Sequence, residues 1–265
     1  MDNRPIGVFD SGIGGLTVVN ALADVLPCET IYYLGDTARV PYGNKSNERI
    51  EKYSYQIVKW LIEQDCKMIV VACNTASSLA LKFLKSEFSL PIIGVIQPGV
   101  MSALNTSKNY NIGVLGTQAT IKSDAYGKYL NAIHPDVKTV SRACPLFVPL
   151  VEEGLVEGSI PLSIADLYLN SIKNTNVDTV ILGCTHYPLL KNIIEAVLGG
   201  QIRLVDSGQA TASIVVSKLN DYKLLSEKNK GEIQCFVTDS PTSFDALAGR
   251  FLHRYISKTI LIDIS

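Results

Sequence analysis

Short apolar runs alternate along this chain with longer mixed segments. The runs near 5–9, 30–34, 67–72 and 91–96 predict strands of the kind buried on both faces of a parallel sheet. Helices are predicted between them, over 15–26 after a glycine turn, over 46–64 after "NKSNE", and over 75–88 after a cysteine. The order then starts again. "IGVFDSG" at 6–12 is answered by "IGVLGTQ" at 112–118, and "VVACNTAS" at 70–77 by "VILGCTHY" at 180–187. Ile6 to Ile112 is an offset of 106, and Cys73 to Cys184 one of 111. "IYYLGDTARVPYG" corresponds in order to "KTVSRACPLFVPLVEEG", and "PIIGVIQPG" to "QIRLVDSGQ". Four corresponding strands at nearly constant offset predict two structurally similar halves.

The last quarter makes no third repeat. Residues 209–220 read as a helix, 221–231 as a charged solvated loop and 232–238 as a strand. Ser240 is the expected N-cap of a further helix with Pro241 at its first position. Phe244, Leu247, Ala248, Phe251 and Leu252 share one helical face there, and "KTILIDI" closes the chain as a strand. This tail is expected to complete the first half's sheet. The expectation is therefore an α/β fold: two similar, pseudo-symmetric domains of mainly parallel sheet flanked by helices. Their bounds are 1–96 plus 209–265, and 97–208, with a site in the cleft between them.

Composition narrows the classes. The 265 residues are 47% hydrophobic and 18% charged, with a formal net charge of −1, which excludes a disordered chain and an electrostatic nucleic-acid binder. No apolar run approaches the ~20 residues that cross a bilayer, and "MDNRPIGVFDSG" lacks the basic and apolar regions of a signal peptide. A soluble, cytoplasmic protein is expected, with no membrane or nucleic-acid partner. Six cysteines, at 28, 66, 73, 144, 184 and 235, form no C-x-x-C pair and no zinc-ligand spacing. They are expected to be thiols, with neither disulfide nor metal.

In open α/β sheets ligands sit beyond the carboxyl ends of the strands. Those positions are Asp10-Ser11-Gly12, Asp36 through Gly43, Cys73-Asn74-Thr75, Gly116-Thr117 and Cys184-Thr185-His186. A lone strand-end cysteine is more often a small buried hydrophobe than a nucleophile. The repeated placement shifts that balance for Cys73 and Cys184, since a strand-to-helix turn favours thiolate. Cys28, Cys66, Cys144 and Cys235 lack that context and read as structural. His186 reads as a proton-handling neighbour of Cys184, and Asp10 either caps the next helix or faces the ligand. "GIGG" at 12–15 lacks the third glycine of a dinucleotide fingerprint, because that position is Thr17, and no P-loop occurs. Its glycine turn remains a candidate anion site.

Two thiols facing one small anion suit a specific reaction. Inverting a carbon that bears one hydrogen requires a base on one face and an acid on the other, and a thiol serves as either. The motifs "IGVFDSGIGGLTV", "GDTARVPYG", "VACNTAS", "CPLFVPLVEEG" and "LGCTHYPLL" together resemble the glutamate racemases, of the cofactor-independent Asp/Glu racemase superfamily, essentially from end to end. The resemblance implies interconversion of L- and D-glutamate without cofactor or metal, supplying D-glutamate to peptidoglycan. It implies Cys73 as the base toward D-glutamate and Cys184 as the base toward L-glutamate. Asp10, His186 and Glu152 would assist them. Ser11, Tyr42, Gly43, Asn74, Thr75, Thr117, Thr120, Thr185 and His186, with Asp10, would contact substrate. Members commonly form homodimers. Some carry an N-terminal extension linked to regulation by a cell-wall precursor, and the start of this chain at its first strand counts against that control. Two other readings stay open: an aspartate racemase, in which Glu usually stands where this chain has His186, and a two-lobed amino-acid binding protein, which needs no paired thiols.

Overall fold

The computed structural model describes residues 1–264. The first half runs β1 (Ile6–Asp10), α1 (Leu16–Val25), β2 (Ile31–Gly35), α2 (Asn47–Glu63), β3 (Met68–Val71), α3 (Asn74–Leu79), α4 (Leu81–Glu87) and β4 (Ile92–Gly94). Helix α5 (Ile96–Thr106) leads into the second half: β5 (Asn111–Gly116), α6 (Gln118–Ser123), α7 (Ala125–Ile133), β6 (Lys138–Ala143), α8 (Phe147–Glu152), α9 (Ser159–Lys173), β7 (Thr179–Gly183), α10 (Lys191–Leu198) and β8 (Arg203–Asp206). Helix α11 (Ser207–Asp221) leads back to β9 (Ile233–Val237), α12 (Pro241–Ala248) and β10 (Ile260–Leu261).

Local chemistry accounts for the elements. β1, β3 and β7 are buried at every position, as central parallel strands covered on both faces must be. In α2 the Ser46 hydroxyl accepts from the Arg49 N–H, and Ile50, Ser54, Ile57, Val58 and Leu61 form one buried stripe. Four sequence expectations need correction. Helix α12 ends at Ala248, so Phe251 and Leu252 are buried beyond it rather than on its face. The helix over 75–88 is two, because Ala80 opens to φ −107° and Leu81 turns onto β4, where a Cβ at Gly94 would lie 2.6 Å from it. Ser240 stands at the N-cap position but with φ +50°, and its hydroxyl bonds Asp239 rather than a helix N–H. The closing strand shrinks to Ile260–Leu261, both exposed at the sheet edge.

All strand pairs are parallel. One sheet has the order β10-β9-β2-β1-β3-β4, the other β6-β5-β7-β8. The tail thus adds β9 and β10 to the first sheet, as expected. The remaining strands follow the same permutation in both halves, β1 matching β5 and β3 matching β7. The match reaches single side chains. A Cβ at Gly7 would lie 2.8 Å from Ile69, 3.1 Å from Cys66 and 3.2 Å from Leu61. At Gly113 the corresponding neighbours are Val180, Val177 and Ile172, at 2.8, 3.3 and 3.6 Å. Cys66 therefore fills the place that Val177 fills in the other half. One hydrophobic cluster, including Val8, Leu16, Phe147, Leu182 and Tyr187, runs through both halves. Among the described residues no helix is long and apolar enough to cross a membrane.

Candidate active site

The carboxyl ends of β1, β3, β5 and β7 open into one cavity of about 310 Å³. Asp10, Ser11, Tyr42, Gly43, Cys73, Asn74 and Thr75 line it from the first half, and Thr117, Glu152, Cys184, Thr185 and His186 from the second. Thr120 is the one expected residue that does not line it. Its hydroxyl lies behind the wall, 3.3 Å from Thr75 Oγ1 and 3.0 Å from Thr117 Oγ1, while Thr75 and Thr117 are themselves 3.0 Å apart. This triangle ties the halves together at the cavity wall. Across the same seam the Tyr126 hydroxyl donates to Asn74 Oδ1 at 2.6 Å, and the buried Asn74 Nδ2 has no partner among the described residues.

The glycine turn does something other than the anion binding its sequence suggested. The Asp10 carboxylate accepts the amides of Gly15 and Gly12 at 3.0 and 3.4 Å, so these N–H groups are already taken up. A Cβ at Gly14 would lie 2.3 Å from Thr185 Oγ1 and 2.4 Å from His186 Nδ1. Only glycine lets the first half's turn press against the second half's loop at this point. The Thr17 hydroxyl donates to the Thr185 carbonyl at 3.0 Å across that contact.

The thiols sit in related surroundings. Cys73 caps α3, accepting the Ala76 N–H at 3.5 Å, with Ser11 Oγ 3.8 Å away. Cys184 Sγ lies 4.0 Å from His186 Nδ1, and His186 Nε2 lies 3.0 Å from Glu152 Oε1. A chain of thiol, imidazole and carboxylate results. The expectation that the turns favour thiolate is overturned by burial. Desolvation first, and the Asp10 charge second, push the Cys73 thiol up to about 12, against the lowering by Ala76 N–H. Burial also raises Cys184 against its bond to the His186 backbone. The α3 helix, of 6 residues, and one amide do not offset the loss of water. Burial thus favours the protonated form of both thiols in the free site.

Val40 and Pro41, within the stretch after β2 already singled out, line the cavity, and so do Asn44, Gln118, Pro145, Val148 and Pro149, which sequence reading missed. They adjoin the strand-end residues already singled out, and their motifs were the available signal. Asp36, fully buried, accepts the Tyr42 hydroxyl at 2.5 Å, Arg39 Nε at 2.8 Å and the Thr238 hydroxyl at 3.0 Å. It fixes the loop that carries Tyr42 and Gly43. No Lys or Arg lines the cavity among the described residues.

Paired thiols reached from opposite halves of a repeated α/β fold are the equipment of an isomerase that moves a proton between the faces of one carbon. Comparison with known proteins gives the family. Residues 16–215 match the Asp/Glu/Hydantoin racemase family. The chain is 46% identical to the glutamate racemase of Geobacter metallireducens over 94% of its own length and 93% of that protein's. Its fold is similar to that of glutamate racemase isoform RacE1 from Bacillus anthracis, with TM-score 0.96, 37% identity, and coverage of 100% of this chain and 99% of that one. It is also similar to the glutamate racemase of Francisella tularensis in complex with D-glutamate, with TM-score 0.94, 40% identity, and the same coverage of 100% and 99%. The chain belongs to the Asp/Glu racemase family and, within it, to the glutamate racemases.

Proposed function

We propose that the chain interconverts L- and D-glutamate by moving a proton between Cys73 and Cys184 through the substrate Cα. The observation that carries this reading is that both thiols line one cavity from opposite halves. From L-glutamate, Cys184 as thiolate takes the Cα proton while the Cys73 thiol gives one to the other face; from D-glutamate the roles reverse. Because burial favours the protonated form of both thiols, the one that acts as base must first lose its proton as substrate enters, while the other keeps its own. For Cys184 the acceptor is His186 Nδ1, with Glu152 holding the imidazolium through Nε2. For Cys73 the acceptor is Asp10, aided by the positive charge of the substrate ammonium, which favours thiolate in a site without water. With no Lys or Arg at the wall, the carboxylates meet hydroxyl and amide donors, from Ser11, Asn74, Thr75, Thr117 and Thr185. Asn74 Nδ2, unpartnered in the free site, is the first of these to assign to substrate. Tyr42 and Gly43 close the adjacent wall, and Thr120 acts through the other two threonines. Among the described residues no group of three His, Cys, Asp or Glu side chains is placed to hold a metal.

The two domains are proposed as 1–96 plus 209–265, and 97–208, with α5 and α11 as the crossings. The resemblance carries three further proposals: a homodimer, a cytoplasmic location, and supply of D-glutamate to peptidoglycan. Circular dichroism with L-glutamate and L-aspartate, without added cofactor, tests the reading. Signal decay with glutamate alone is expected. Decay with aspartate alone supports the alternative substrate, and decay with neither would leave a binding protein.

A further inference from the structure

Helix α8 ends at Glu152, whose side chain is one member of the thiol–imidazole–carboxylate chain. The carbonyls at a helix C-terminus lack intrahelical partners and must find others. Those of Leu150 and Val151 accept the backbone N–H groups of Leu155 and Gly154. The Glu152 carbonyl instead accepts Nη1 of Arg250, a residue 98 positions away on the segment following α12. Gly154, at φ +74°, makes the seat: a Cβ there would lie 3.1 to 3.3 Å from three guanidinium atoms of Arg250. The next residue, Phe251, is buried and meets the His186 ring edge-on, with centroids 5.3 Å apart and planes at 82°. Two consecutive side chains from the tail therefore touch both partners of one bond, Glu152 by its main chain and His186 by its ring.

We propose that Arg250 is a positioning residue for the His186–Glu152 pair, and so for proton removal by Cys184 but not by Cys73. The guanidinium fixes the end of α8, and with it the distance from Glu152 Oε1 to His186 Nε2. Phe251 fixes the plane of the imidazole. Among the described residues no side chain of the tail bonds Asp10, whose carboxylate is held by its own turn. The tail's Phe244 reaches that turn only through Tyr33, which donates to the Gly12 carbonyl. Losing the guanidinium lets Glu152 withdraw, and the imidazole then accepts the Cys184 proton from a poorer position.

The inference rests on the roles given above to His186 and Glu152. The enantiomers have equal free energy in water, so kcat/KM falls equally in both directions for any variant. The loss in Arg250→Ala is expected to be about tenfold, less than the roughly hundredfold that misplacing a reacting group by an ångström costs. The discriminating readout is the primary isotope effect on Cα–H cleavage, measured separately with L- and D-glutamate. A smaller folded fraction changes neither value. In Arg250→Ala the effect should rise with L-glutamate and fall or stay unchanged with D-glutamate, as in Glu152→Gln, and Arg250→Lys, which keeps a cationic donor, should return toward the parent value. Unchanged or equally changed effects for both substrates in Arg250→Ala, with Glu152→Gln still selective for L-glutamate, would overturn the inference alone. If Glu152→Gln itself shows no selectivity, the role of the pair fails and the inference falls with it.

Discussion

Cys73 and Cys184 occupy matched strand ends in two sheets of the same permutation, yet the groups beside them differ in kind. Cys73 opens a regular α-helix and shares the cavity with a carboxylate that two glycine amides hold. Cys184 precedes a 3₁₀ turn, Tyr187–Leu190, and faces an imidazole that a second carboxylate holds. The strand frame repeats while the groups beside the thiols do not. A pseudo-two-fold frame brings two bases to opposite faces of one carbon, but glutamate has no such symmetry, so each base meets a different surface of the substrate. The comparison separates what the frame needs, a small reactive group at each strand end, from what each face needs to unload a proton.

The largest expected effects come from the thiols. Cys73→Ser and Cys184→Ser should each lower racemisation by roughly a thousandfold or more, because a hydroxyl is too weak an acid to replace a proton-transferring thiol. Cys28→Ala, Cys66→Ala, Cys144→Ala and Cys235→Ala should keep most of it, as positions like Cys66 only fill space that a valine fills in the other half. Substantial turnover by either of the first two variants breaks the comparison outright. Next come the acceptors. Asp10→Asn and His186→Asn should each reduce kcat/KM by about a hundredfold, equally in the two directions. Their isotope effects should divide, rising more with D-glutamate for Asp10→Asn and more with L-glutamate for His186→Asn. Identical changes in both variants would mean that the two sides are not separately served.

The pH dependence of alkylation is a smaller effect that tests the resting state. Only thiolate reacts, and burial pushes the Cys73 thiol up to about 12. Its rate of modification by iodoacetamide, read by peptide mass spectrometry, should climb tenfold per pH unit from 7 through 9 without levelling. A plateau below pH 9 would show a thiolate already poised before substrate binds. The smallest effect concerns the frame itself. Gly7→Ala and Gly113→Ala each force a Cβ to 2.8 Å from a facing side chain, an overpacking cost of about 1–3 kcal/mol. Gly7→Ala should be the worse in urea denaturation, since its other two neighbours are closer. A neutral Gly113→Ala would show that the second sheet is packed on other terms.

Much of this was legible in the chain. The offset repeats announced two like halves, and the strand-end rule pointed to both thiols, to Asp10 and to His186. What stayed hidden depends on distant segments meeting. The break at Ala80 falls at the residue type with the highest helix propensity, so only packing against Gly94 reveals it. The thiols looked poised for ionisation because a sequence shows the helix turn and not the apolar wall that removes water. Pro145, Val148 and Pro149 stood inside a recognised motif but carried no chemistry of their own. Asp36 was singled out by its place after β2, but its bonds to Tyr42 and Thr238 were not legible, nor was the contact of Arg250 with Glu152, 98 residues away.

The central claim is that two separate bases serve the two faces of Cα, and proton exchange tests it most directly. Racemisation of L-glutamate is started in D₂O and both enantiomers are recovered within the first few per cent of conversion. The proton delivered to product comes from Cys73, which has exchanged with solvent, so D-glutamate should carry deuterium at Cα from the outset while the remaining L-glutamate stays protiated. Deuterium in unreacted L-glutamate ahead of inversion would contradict the account, because it requires the base that removes the proton also to return one to the same face.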